Sequence, residues 1–292
     1  NVAIGSGAGK TISTGAANTL IGGQAGDALS TGGSNVAIGY QALSTEDGNG
    51  LNVAVGTFAL KTLNAGADAY NVAVGYKSGE DVTTGQYNTL IGALSGDAIT
   101  TSSSNTALGY ESLTALTTGN SNVAIGYRAL KTDTLGDRNV AVGNEALATQ
   151  NFSSSTDSYN TAVGYQAGND VTTGEQNTLI GGLAGDALTN ADRNVAVGYN
   201  ALTAETLGER NVAIGYASLA NQNNTSSTSP YNVAVGYHAG NDVTTGSSNT
   251  LIGGLTGDAL TTGVENTAIG LAALGSETGG NYNVAVGKST LV

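Results

Sequence analysis

The sequence predicts an all-β fold, a parallel β-solenoid or β-roll of about seventeen coils, and three observations predict it. A five-residue tag, Asn-[Val/Thr]-[Ala/Leu]-[Val/Ile/Leu]-Gly, begins at residues 1, 18, 35, 52, 71, 88, 105, 122, 139, 160, 177, 194, 211, 232, 249, 266 and 283. Successive tags stand 17 residues apart, except for three spacings of 19, 21 and 21. Glycine recurs every few residues with few strong helix formers between, which excludes a helical repeat. A 17-residue period holds about two short strands and two turns, one coil of a solenoid. The chain reads as one repeat domain over 1–292, about 80 Å long at the strand spacing of a β-sheet.

Each coil opens on its tag. Asn and Gly bound a β-favouring run of three residues, as they bound strands elsewhere. In-register stacking sets the asparagines above one another in a ladder, among them Asn1, Asn35, Asn122, Asn194 and Asn232. The glycine at coil position five, as in Gly5, Gly39, Gly126, Gly198 and Gly236, supplies a backbone angle that a Cβ forbids. Within the strand, positions two and four face one way and position three the other. Both faces are apolar. One can fill the interior of the coil, and the other needs a cover that the economical reading finds in further copies of the chain.

The second half of the coil has two forms. Position nine is Gly or Leu. In the Gly coils position twelve is aliphatic, as in Ile12, Leu29, Val82, Ile99, Val171, Leu188, Val243 and Leu260. In the Leu coils it is usually polar, as in Glu46, Asp133, Gln150, Glu205, Gln222 and Glu277. One bulky apolar group per coil then comes from either of two places, with a longer period near four coils. The three lengthened coils place their extra residues in 64–70, 149–159 and 221–231. These segments are rich in Ser, Thr, Asn and Asp and read as exposed loops. Their candidate binding residues are Asn64, Asn151, Phe152, Tyr159, Asn223, Asn224 and Tyr231.

Composition narrows the chemistry. The 292 residues include 45 Gly, one Pro, no Cys, Met or Trp, and two Phe, with a net charge of −13. The absence of Cys removes disulfides and thiolate metal sites. The acidic balance argues against nucleic acid and anionic membranes as partners. No apolar run is long enough to cross a bilayer as a helix. The segment Gly5-Ser6-Gly7-Ala8-Gly9-Lys10-Thr11 looks like a phosphate-binding loop, but Ile4 stands where the first Gly belongs. No helix pattern follows it, and the slot of Lys10 holds Glu80, Asn169 and Asn241 in other coils.

Other chemistry reads as structural. His238, the only histidine, shares a variable slot with Gln41, Lys77 and Arg128. The Gly-Asp steps at Asp27, Asp97, Asp186 and Asp258, with Asp81, Asp170 and Asp242, lack the dense spacing of calcium-binding β-rolls and read as turn residues. Eight Tyr follow the tag glycine and read as a stacking ladder, with glycan binding as the alternative. Repeated Thr-Thr-Gly brings ice-binding solenoids to mind, but Leu coils interrupt it. No catalytic residue, metal site or cofactor is expected, and the protein reads as non-enzymatic.

The tags "NVAIGYQAL", "NVAVGYKSG" and "NTAIGLAAL" resemble the head repeats of YadA-type trimeric autotransporter adhesins, and similar repeats occur in phage tail-fibre proteins. The resemblance runs along the whole chain, with a coil longer than that of the adhesin head. It implies a left-handed β-roll in which three chains pack around one axis, a homotrimer. It further implies a stiff segment of an extracellular fibre, on a bacterial outer surface or a phage virion. An adhesin-type head meeting a protein or glycan receptor is the first reading. A phage fibre shaft is the alternative, and an end-to-end filament a further one. Neither places any part of this segment inside a membrane.

Overall fold

The structure, a computed structural model, describes all 292 residues. It is a parallel β-solenoid without helix, in two compact units: residues 1–139 with 151–157, and 140–150 with 158–292. The first unit carries eight tag strands, from Val2–Ile4 to Val123–Ile125. They pair parallel and in register, Val2 with Thr19, Ala3 with Leu20 and Ile4 with Ile21, and so onward. The second unit carries nine, from Val140–Val142 to Val284–Val286, paired in the same register. A two-residue strand at Gly136–Asp137 pairs with Thr156–Asp157 in the first unit.

Each strand is three residues long because position five ends it. The tag glycines take φ near +135°, as at Gly39 (135°) and Gly198 (138°), a region closed to residues with a Cβ. Space closes it as well: a Cβ on Gly39 would stand 2.5 Å from the carbonyl oxygen of Gly56 in the next coil. Further left-handed residues follow at positions seven, nine and seventeen, as at Gln41, Leu43 and Leu51. These turn the chain back to the next strand without helix or extended linker.

The interior is filled by position three and position nine. Position three is buried in every strand after the first, for example Leu20, Ala37, Ala124 and Ala196, all fully buried. Leu at position nine is buried too, as Leu43, Leu113 and Leu202 show. Where position nine is Gly, two neighbours occupy the room. Methyls of Leu20 and Leu29 lie 2.8 Å from where a Cβ on Gly26 would be. The same leucine also reaches Gly9 in the preceding coil, at 2.8 Å. Leu90 serves Gly79 and Gly96 in this way, Leu179 serves Gly168 and Gly185, and Leu251 serves Gly240 and Gly257. Glycine coils therefore come in pairs because one strand leucine fills the space beside both.

Polar residues at position twelve point inward. Glu46, Asp133, Gln150, Glu205 and Gln222 are all fully buried, and Glu277 alone is exposed. Glu205 is satisfied by a fan of amides: Oε1 accepts from the backbone N–H of Thr206, Leu207, Gly208 and Asn224. Its Oε2 accepts from the side chains of Gln222 and Asn224 at 2.8 and 2.7 Å. Burying a carboxylate is costly unless it is hydrogen-bonded, and here it is bonded on both oxygens.

The lengthened coils correct two expectations of exposure. Phe152 is only 5% exposed and Asn224 only 9%. The first is covered at a coil position where Leu135, one coil earlier, is half-buried, and the second bonds Glu205. Asn64, Asn151, Tyr159, Asn223 and Tyr231 are exposed.

Candidate functional site

The residues that face solvent in a repeating way lie along the strands. Because position three is committed to the interior, positions two and four point outward. They are Val or Thr and Val, Ile or Leu, and they stay half-buried or exposed. Leu108 is 43% exposed, Ile180 39% and Ile269 40%. The outward strand face of each unit thus carries a continuous aliphatic row at position four, beside a row at position two in which Val alternates with Thr, without a cover inside the chain.

Beneath that strip runs the asparagine ladder. The side-chain oxygen of Asn18 accepts the backbone N–H of Asn35 at 2.9 Å, and its amide donates to the carbonyl of Gly32 at 2.8 Å. Asn122, Asn194 and Asn232 repeat the arrangement with Asn139, Asn211 and Asn249. The amide-to-amide contact is secondary, at 3.3 Å between Asn35 and Asn52. Asn35, Asn122, Asn194 and Asn232 are fully buried, so the ladder is a structural device, closed to any ligand.

Aromatic rims flank the strip. Tyr70 and Tyr87, just before their tags, stack at 5.6 Å. On the other side, after the tag glycine, Tyr110 stacks on Tyr127 at 5.8 Å, and Tyr216 stacks on Tyr199 and Tyr237 at 5.7 and 5.5 Å. His238 packs on the rings of Tyr216 and Tyr237, at 5.4 and 4.3 Å, as a member of this ladder. Arg128 lies 4.8 Å over Tyr127 and bonds Glu111 at 2.8 Å. Burial pushes the Glu111 carboxyl up, but the Tyr110 hydroxyl, Arg128 and Lys131 outweigh it and leave it below the usual range.

The acidic turn residues are held by hydroxyls. Asp97 accepts from Thr114 and Asp186 from Thr203, each one coil on. Burial raises the carboxyls of Asp97, Asp186 and Asp258 above the ordinary value, aided by the charges of Asp81, Asp170 and Asp242 respectively. No group of three or more His, Asp or Glu is gathered to hold a metal ion, and no helix is long and apolar enough to cross a membrane.

The segment around Lys10 is a turn of the first coil. Gly7 and Gly9 have φ of 75° and 58°, and the Thr11 hydroxyl donates to the carbonyls of Asp27 and Leu29. Ser6, Gly7 and Lys10 line an open pocket of about 350 Å³ with Gly23, Gln24, Asp27 and Tyr40. The helix that a phosphate loop needs does not follow.

Neither family models nor curated proteins nor solved structures give a match to the chain.

Proposed function

We propose that the chain is a non-enzymatic structural segment of an extracellular fibre, assembled as a homotrimer through its outward strand faces. The observation that carries this reading is the outward aliphatic row at position four, flanked by Val and Thr at position two. Exposed apolar surface on this scale marks an interaction site, and an in-register strip is complementary to the same strip on another copy. The order of three and a place on a bacterial surface or phage virion come from the resemblance to YadA-type head repeats. Within that setting the segment belongs to an adhesin-type head that mediates attachment, and the exposed residues of the lengthened coils, such as Asn151, Asn223 and Tyr231, are available to a receptor.

Sedimentation equilibrium of the full chain tests this. The expected mass is three times that of the 28.7 kDa chain. Val55→Asp with Ile125→Asp, both on the outward face, should give a folded monomer with an unchanged circular dichroism spectrum. A wild-type protein that sediments as a monomer overturns the proposal.

A further inference from the structure

The tyrosine ladder after the tag glycine has gaps at fixed places. Position six is Gly23, Ala93, Gly182 and Gly254 in the four coils whose strand carries the inward leucine. At Gly182 the nearest atoms to an added Cβ are the ring edge of Tyr199, at 3.3 Å, which leans over the glycine, and the carbonyl of Tyr165, at 3.9 Å. Tyr165 and Tyr199 stand on either side, 56% and 49% exposed. Tyr165 has no ring partner, and Tyr199 stacks only on the side away from the gap. Tyr76 and Tyr110 flank Ala93, 50% and 44% exposed, and their ring partners Phe58 and Tyr127 belong to the coils on the far sides.

We infer that the Tyr165–Gly182–Tyr199 and Tyr76–Ala93–Tyr110 notches are binding slots for single pyranose rings of neutral glycans. Strands two coils apart are separated by about 9.5 Å. Carbon–carbon contact is best at about 3.5–4.0 Å on each side, so once the exposed Tyr199 ring turns off Gly182 one six-membered ring fits and two do not. The floor is polar. The pocket at Gly23, with Ser6 and Tyr40 at position six of the neighbouring coils, is lined by Lys10 and Asp27; Asn169 and Asp186 hold the same coil positions at Gly182, where they bond the Glu145 carbonyl and the Thr203 hydroxyl. A sugar presents C–H faces to aromatic rings and hydroxyls to such groups, whereas an aromatic side chain calls for an apolar floor. The net charge of −13 disfavours nucleobases, which bring phosphates, and acidic sugars as well. Two-ring slots are shallow and single-site affinity is weak, so useful binding comes from many slots on one assembly.

The inference deepens the attachment reading and is tested on the assembled full chain. Saturation-transfer NMR with cellobiose, lactose, maltose and mannobiose reads binding, and sedimentation is run on the same samples. At least one disaccharide should give transfer to its ring protons. Gly182→Tyr with Ala93→Tyr fills both slots with the residue that position six carries in eight other coils, and should reduce transfer at least fivefold with mass unchanged. Tyr165→Ala with Tyr76→Ala should do the same. Absence of transfer from all four sugars in an assembled wild type overturns the slots, as does undiminished transfer in the filled variant. A filled variant that falls to monomer also overturns them, because the notches then lie between copies; a monomeric wild type instead strikes the assembly reading.

Discussion

Leu20 stands where the side chain of residue 26 would be. Its Cδ2 lies 2.8 Å from the position of a Cβ on Gly26, and the leucine is fully buried. Removing the equivalent leucine elsewhere should therefore open a cavity beside two glycines at once. Leu90→Ala is expected to cost about 2–5 kcal/mol in urea unfolding. Adding Gly96→Leu should recover part of that loss, since position nine already accepts leucine at the same left-handed angle in Leu43 and Leu113. No recovery would show that the two sites do not share one volume.

The tag glycine should be intolerant of any side chain. Gly39→Ala places a Cβ against the Gly56 carbonyl at a φ of 135°, and about 3 kcal/mol or more of stability should be lost. Gly23→Ala is the control, because its backbone is ordinary and its nearest neighbour is a movable Tyr40 ring at 3.3 Å. Its thermal midpoint should barely move.

Asn122→Ala should be severe for a small truncation. It removes the acceptor for the Asn139 N–H (2.9 Å) and the donor to the Gly136 carbonyl (2.8 Å), both in a buried ladder. Each orphaned group costs about 1–3 kcal/mol. Amide hydrogen exchange at Asn139 should rise well above that of coils remote from the change.

The half-buried aspartates set a pH dependence. In Asp97 and Asp186 burial holds the carboxyl above its ordinary value, so the folded state keeps its proton to a higher pH than the unfolded state. The stability this gives is complete below the ordinary carboxylate pKa and is lost as the pH rises through the raised one. Asp97→Asn retains an acceptor for Thr114 and removes the charge. Its urea midpoint should exceed that of wild type at pH 7, and the difference should shrink toward pH 4. A difference independent of pH would contradict the assignment.

Much of the fold was legible because it rests on local sterics. Asn, a three-residue β run and Gly dictate a short strand at every copy, and a constant spacing dictates register. The pairing of glycine coils was visible as a pattern, but its cause was not: it lies in Leu20 and its equivalents, which face glycines 17 residues apart in chain but adjacent in the stack. Glu46 and Glu205 were illegible for another reason. A glutamate in a polar turn reads as exposed, and only the backbone amides of the following turn and of the next coil make its burial tolerable. Phe152 and Asn224 sit in Ser- and Asn-rich segments whose composition speaks for solvent, although these two side chains are buried. The outward aliphatic row was anticipated from alternation and the tyrosine stacking from the recurrence of Tyr after the tag glycine, while the arrangement of Tyr165 and Tyr199 about Gly182 required three coils in space.

The sharing of one leucine between two glycines also constrains how such a gene can lengthen. Duplicating a single 17-residue coil from a glycine pair would leave a third glycine beyond the reach of Leu90, or bring a second leucine into occupied space. Inserting a whole block, from one strand leucine to the next, preserves every neighbour. Leu20 and Leu90 are separated by 70 residues, Leu90 and Leu179 by 89, and Leu179 and Leu251 by 72, which are four, five and four coils. Unequal crossing-over that survives selection for folding should therefore keep each glycine pair with its leucine, copying whole blocks of four or five coils or adding single coils only within a Leu block, as the three coils of Leu113, Leu130 and Leu147 stand beside blocks of two.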